Sequence, residues 1–173
     1  MKALNFLLVA LVLCCLSCDS DDGDDTVITS DDLSGTWVST GATFDGTADV
    51  PVETEIFNVN FTGQSVDSDH RLIFSDTSDL YASEGSYDVE FTFSLFGISQ
   101  SETVEDIEFL GAGTWSRSGN NLTLTIDGEA TVFEITTLTD TELVIKSSAL
   151  GNLVEDEDFS FQDLEAVFSF ERQ

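Results

Sequence analysis

"NNLTLTIDGEATVFEIT", Asn120–Thr136, carries the clearest turn in the chain. Leu122, Leu124 and Ile126 alternate with threonines up to Asp127-Gly128, and Phe133 and Ile135 resume the alternation beyond it. A period of two places one set of side chains on one face of a strand. Asp-Gly is a two-residue pair whose members tolerate positive φ, as the tight turn of a β-hairpin requires. The stretch therefore reads as two antiparallel strands sharing one apolar face.

The same period extends in both directions. In "SYDVEFTFSLF" (86–96), Tyr87, Val89, Phe91, Phe93 and Leu95 alternate with Asp88, Glu90, Thr92 and Ser94, as in an antiparallel sheet wetted on one side. "LTDTELVIKSS" (138–148) repeats the theme, with Thr139–Thr141 as the turn and Leu143 and Ile145 facing inward. Phe57, Val59 and Phe61 form one strand and Leu72 to Phe74 another, with the polar loop "TGQSVDSD" (62–69) between them. At the end, "EAVFSFERQ" puts Ala166, Phe168, Phe170 and Arg172 on one face. Helical turns are expected only around Ser30–Leu33, in "SDTSDLYASEG" (75–85) or in "FQDLEAV" (161–167). Fourteen Phe and one Pro beside abundant Val, Ile and Thr favour sheet over helix. About eight to ten short strands without βαβ alternation predict an all-β, antiparallel barrel or sandwich, and closure removes exposed strand edges.

Charge narrows the partners. The chain has 34 acids against 5 Lys and Arg, a formal charge of −29. Nucleic acid is excluded as a natural partner, because phosphate binding needs clustered cations. Adhesion to anionic headgroups is disfavoured for the same reason. Solubility in a salty habitat accounts for the acidity, since screening relieves self-repulsion.

Lys2 precedes an apolar run from Ala3 to Leu16 broken only by Asn5. That run is short for a bilayer span, which needs about 20 apolar residues, and it has the build of a secretory signal. At its end, "CLSCDSDDGDD" (15–25) resembles the lipobox of bacterial lipoproteins, with Ser17 as the small residue and Cys18 as the lipid acceptor. Cys15 stands where that motif usually has Leu, and Cys14 and Cys15 are the alternative acceptors. The resemblance implies a signal peptide over 1–17, a lipidated cysteine with an acidic tether over 18–30, and a domain over 31–173. Two or more acyl chains anchor a protein stably. Five aspartates in "DSDDGDD" (19–25) read as an extended, solvated tether. Their spacing is not that of a calcium loop. Acidic runs at this place resemble the surface-export signal of Bacteroidota lipoproteins, which implies an outer-membrane lipoprotein exposed at the cell surface, whereas Asp directly after the cysteine resembles the enterobacterial signal for retention at the inner membrane.

Both tryptophans follow Gly-Thr, in "LSGTWVS" (33–39) and "GAGTWSR" (111–117). Gly35-Thr36-Trp37 at the start of the first strand resembles the G-x-W signature of lipocalins. Together with "GAGTWSRSGNNLTLT" and "FEITTLTDTELVI" it resembles the lipocalin-like domain of many Bacteroidota lipoproteins, from Leu33 to the C-terminus. The resemblance implies an up-and-down barrel with an N-terminal turn across one end. It also implies a structural pair at that end, Trp37 under Arg172, with Arg117 as the competing partner. Such a cation–π contact stabilises by roughly 0.5–2 kcal/mol. The two Gly-Thr-Trp copies then read as two strand entrances rather than as a duplication.

No motif for catalysis appears: there is no G-x-S-x-G elbow, P-loop or HExxH. With so many acids, neighbouring carboxylates carry no information, and His70 between Asp69 and Arg71 reads as an exposed edge residue. The expectation is a non-enzyme without cofactor or metal, and a monomer. Barrels of about eight strands either fill their interior or hold one small ligand. Phe91, Phe93, Leu122, Leu124, Phe133 and Ile135 are the candidate cavity walls, or core if there is no cavity. The leading expectation is a lipid-anchored barrel binding a small apolar or amphipathic ligand. The alternative is a filled barrel whose loops contact protein or glycan.

Overall fold

The computed structural model describes residues 26–148 and 160–173, apart from 31, 53–54, 96 and 109. Its strands are β1 (Val27–Ile28), β2 (Gly35–Val52), β3 (Glu55–Ser68), β4 (Arg71–Phe74), β5 (Leu80–Glu84), β6 (Tyr87–Leu95), β7 (Ile98–Ile107), β8 (Gly113–Ser118), β9 (Asn121–Ile126), β10 (Glu129–Leu138), β11 (Glu142–Ser147) and β12 (Ser160–Arg172). The β9–β10 turn has Asp127 at φ 52° and Gly128 at φ 89°, the positive pair that a tight hairpin needs.

Eight strands close a ring in the order β2–β4–β5–β8–β9–β10–β11–β12. Closure is made by β12, which pairs β11 on one side and β2 on the other, from Arg172↔Trp37 to Ser160↔Asp49. All ring pairs are antiparallel. The remaining long strands extend the wall. β2 pairs β4 through Gly35–Val38 but pairs β3 through Thr43–Val52; β3 then pairs β6, and β6 pairs β7. Thus β3 and β4 are two halves of one bent strand, as are β5 and β6. The path remains up-and-down, but a sheet of β12, β2, β3, β6 and β7 rises beyond the closed ring.

The two bends lie side by side, at Asp69–His70 and Gly85–Ser86. Asp69 Oδ1 accepts the Ser86 N–H at 2.8 Å, and Ser68 Oγ donates to the Ser86 carbonyl at 3.2 Å. Gly85 has φ +80°, and a Cβ there would fall 2.5–2.8 Å from atoms of Asp69. Only glycine fits that joint.

The ring interior is filled by side chains from facing strands. The Phe168 ring from β12 lies 5.7 Å from Phe44, 5.9 Å from Tyr87 and 6.3 Å from Phe133, so one ring spans from β2 and β6 to β10. Phe168, Phe170, Leu122, Phe133 and Ile135 have no exposed surface, and each such burial contributes roughly 1.5–3 kcal/mol. At the opposite end from the extended sheet, β1 pairs β10 in parallel, Val27↔Thr137 and Ile28↔Leu138. The chain then crosses to β2, burying Leu33.

Three expectations are corrected. The segment "TGQSVDSD" is mostly strand, since β3 runs to Ser68; its inward residues Gly63 and Ser65 are small because Phe91 from β6 and the Ala42 backbone occupy the space. The expected helical turns are absent among the described residues: 76–79 is a bend, and 160–172 is strand throughout. His70 is fully buried rather than exposed. Asp69 and Arg71 point outward, so the residue between them points in.

Candidate ligand-binding site

The two ends of the barrel differ. At the closed end Trp37 is fully buried, and its Nε1–H donates to the Leu33 carbonyl at 2.8 Å. Arg172 lies over the indole, Cζ 4.3 Å from the ring centroid. Its Nη1 donates to the Ser34 carbonyl and its Nη2 to the Asp32 carbonyl at 2.7 Å. The guanidinium thereby fastens the crossing segment to the last strand. Asp32 is held below the usual carboxylate range, chiefly by hydrogen bonds from Ser34 and also by Arg172. Arg117 sits instead beside Trp115, its Nε–H donating to the Gly119 carbonyl at 2.9 Å. Among the described residues, side chains close this end over Trp37.

Leu122, Leu124, Phe133 and Ile135 sit on β9 and β10, at most 1% exposed, within the filled ring. Phe91 and Phe93 lie in the other part of the molecule, on β6 where the wall rises beyond the ring. The ring centroids of Phe91 and Phe93 are 6.4 Å apart; Phe61 is 6.0 Å from Phe91 and 6.1 Å from Phe93, and Phe44 is 6.0 Å from Phe91. Phe168 joins the two groups through Phe44 and Phe133. The expected wall residues therefore divide between a core layer and an aromatic patch above it.

That patch grades from buried to partly buried. Phe44, Phe61 and Phe91 are 1–2% exposed, whereas Phe93, Phe57, Val50 and Val104 are only partly covered. Gly63 makes the seat for Phe91, since a Cβ there would lie 2.8 Å from its ring. Residues directly opposite in a ladder share a face, so the register Phe91↔Glu102 and Phe93↔Gln100 puts both polar residues on the aromatic side. Glu102 and Gln100 are exposed. The result is an apolar inner wall with a polar margin on β7. The sequence reading places Phe57 on a strand without assigning it to a wall, and leaves Phe44, Val50 and Val104 unassigned. The period-two series Ala42, Phe44, Gly46, Ala48, Val50 is the signal for the first strand, weakened by its small residues.

Below the patch, at the bend, lies a buried polar group. His70 Nε2 is 2.8 Å from Ser83 Oγ and Nδ1 is 3.0 Å from Tyr87 Oη. A neutral imidazole donates through one nitrogen and accepts through the other, and hydroxyls answer both. Burial pulls His70 down to about 4, opposed by nearby Asp69, and pushes the Tyr87 phenol up. Sealed from solvent, this histidine is placed to hold the joint and not to meet a substrate. Cys18 lies outside the described residues.

A family model described as a lipocalin-like domain matches residues 33–145. No curated protein matches the chain.

Proposed function

Because the chain belongs to the lipocalin-like domain family, we propose that its aromatic inner wall binds a small apolar or amphipathic molecule and that a lipid on Cys18 holds it to the cell envelope. The observation that carries the binding reading is the partly buried aromatic patch on the inner face of β3 and β6, beyond the filled ring. A Phe left partly in water forfeits part of the roughly 1.5–3 kcal/mol that full burial contributes. An apolar ligand recovers it. Gln100 and Glu102 at the margin favour a molecule with a polar head, and Glu102 disfavours an anionic one.

The anchor sets the orientation. Residue 26, where the described chain begins, leads into β1 at the closed end. Cys18 precedes it by 26 − 18 = 8 residues, a reach of at most about 28 Å. The closed end therefore faces the membrane and the aromatic wall faces away, toward the medium. This suits a surface-exposed outer-membrane lipoprotein acting as a monomer that captures its ligand from outside. Binding, rather than catalysis, is the role of the fold here.

Titration of the purified protein with N-phenyl-1-naphthylamine, whose fluorescence rises in apolar surroundings, tests the site. Saturable uptake is expected, weakened about tenfold or more in Phe93→Asn, the loss of one side chain's burial. No saturable uptake, or unchanged uptake in Phe93→Asn, contradicts the proposal.

A further inference from the structure

The outer face of the extended sheet carries a second, chemically different concavity. A groove of about 480 Å³ crosses four strands and is lined by Thr43 and Asp45 of β2, Thr62 and Gln64 of β3, Glu90 and Thr92 of β6, and Glu165 and Val167 of β12. Its lining follows two rungs of the sheet. Glu165, Asp45, Thr62 and Thr92 are opposite one another in turn, and Thr92 continues to Ser101 of β7. Val167, Thr43, Gln64 and Glu90 form the second rung, which continues to Thr103. A third rung, Thr47–Asn60–Ser94–Ser99, extends the array along the strands.

Two features of this array select a ligand. On β2, β3, β6 and β7 the three rungs hold twelve residues, and only Asp45 and Glu90 among them are charged, although the surface must carry most of the chain's 34 acids. The rest are hydroxyls and amides on a fixed lattice. Interstrand neighbours are spaced about 4.8 Å apart, comparable to one sugar unit of an extended chain. Thr92 and Ser101 hydroxyls, 2.8 Å apart, and Ser94 and Ser99 hydroxyls, 3.1 Å apart, are held in cross-strand pairs. The side chains of Thr43, Asp45, Thr62, Gln64 and Glu90 make no hydrogen bond to another described residue, so their capacity faces the groove. That capacity is rich in acceptors, which a partner with many hydroxyl donors satisfies. Three carboxylates, Asp45, Glu90 and Glu165, line the groove, and Lys146 beside it is held at 2.9 Å by Glu165, so phosphate, sulfate and uronate groups are repelled.

We infer that this outer groove binds a neutral saccharide chain laid across β2, β3 and β6. This site is separate from the aromatic inner wall and stands without it. Native affinity electrophoresis of the purified protein tests it, in gels containing dextran, starch, laminarin or xylan, with alginate as the anionic control. At least one neutral polysaccharide should retard the protein, and alginate should not. The double variant Thr62→Ala, Gln64→Ala, both exposed on β3, should weaken retardation about tenfold by removing two hydrogen-bond partners. Phe93→Asn should leave it unchanged, which separates this groove from the apolar site. Circular dichroism confirms that each variant is folded. No retardation by any of the four neutral polysaccharides, or retardation untouched by the double variant, overturns the inference.

Discussion

His70 makes the stability of this protein depend on pH in a direction opposite to that of its surface. The imidazole is fully buried between Ser83 and Tyr87, and burial lowers it from 6.5 to about 4. Between those values the unfolded chain binds a proton that the folded chain refuses. Stability therefore rises with pH across this window and falls on acidification. Integrating the linkage from pH 8 to pH 5 gives a loss of about 2 kcal/mol, approaching about 3 kcal/mol below pH 4. Acidification also neutralises carboxylates on a chain of charge −29, which relieves self-repulsion. The two effects must be separated by a variant. His70→Gln retains a donor and an acceptor for the two hydroxyls but does not titrate. Urea unfolding of wild type and His70→Gln at both pH values isolates the histidine term. Wild type should lose about 2 kcal/mol relative to the variant between pH 8 and pH 5, a midpoint displacement of about 1 M urea. Parallel behaviour of the two proteins would refute the buried, neutral histidine.

Arg172→Ala removes the stacked cation from Trp37 and two bonds to backbone carbonyls. Calorimetry should show a loss of about 2–3 kcal/mol, with Arg172→Lys restoring only part because it lacks the planar fork. Gly85→Ala forces a Cβ onto Asp69 at φ +80° and should cost more than about 2 kcal/mol in urea unfolding, whereas Gly119→Ala, with open space around it, should cost about 1 kcal/mol. Isothermal titration should rank dodecyltrimethylammonium above dodecanoate by about tenfold, because Glu102 faces the aromatic wall. In the native host, Cys18→Ala should abolish incorporation of a clickable fatty acid; persistent labelling would move the anchor to another residue.

The sequence makes strands legible wherever large apolar and polar side chains alternate with contrast. Tyr87–Phe93 and Leu122–Ile135 meet that condition, and Asp127-Gly128 specifies its turn by local chemistry alone. Thr62–Asp69 fails it because the inner positions are Gly63, whose space is filled by Phe91 from a strand more than twenty residues away in sequence, and Ser65, whose hydroxyl accepts the Ala42 N–H. The same distance effect hides Phe44, whose neighbours on its face are Ala42 and Gly46. His70 was readable in principle, since two outward charged neighbours force it inward, but a polar residue flanked by charges imitates an exposed edge. The aromatic series suggested walls without saying where they lie. Leu122, Leu124, Phe133 and Ile135 show the same period-two alternation as Phe91 and Phe93; what separates core from open wall is that β2 exchanges β4 for β3 as its partner partway along. That switch is a matter of register, set by two bends pinned through Asp69, Gly85 and Ser86, and no local pattern encodes it.

The most direct measurement is a methyl and aromatic NMR titration of the isotope-labelled protein with dodecyltrimethylammonium, below the concentration at which it forms micelles. Saturable shifts confined to Val50, Phe57, Phe93 and Val104, with Leu122, Leu124 and Ile135 undisturbed, are the predicted result. Shifts centred on the ring residues, or none that saturate, would contradict a binding wall set above a filled barrel.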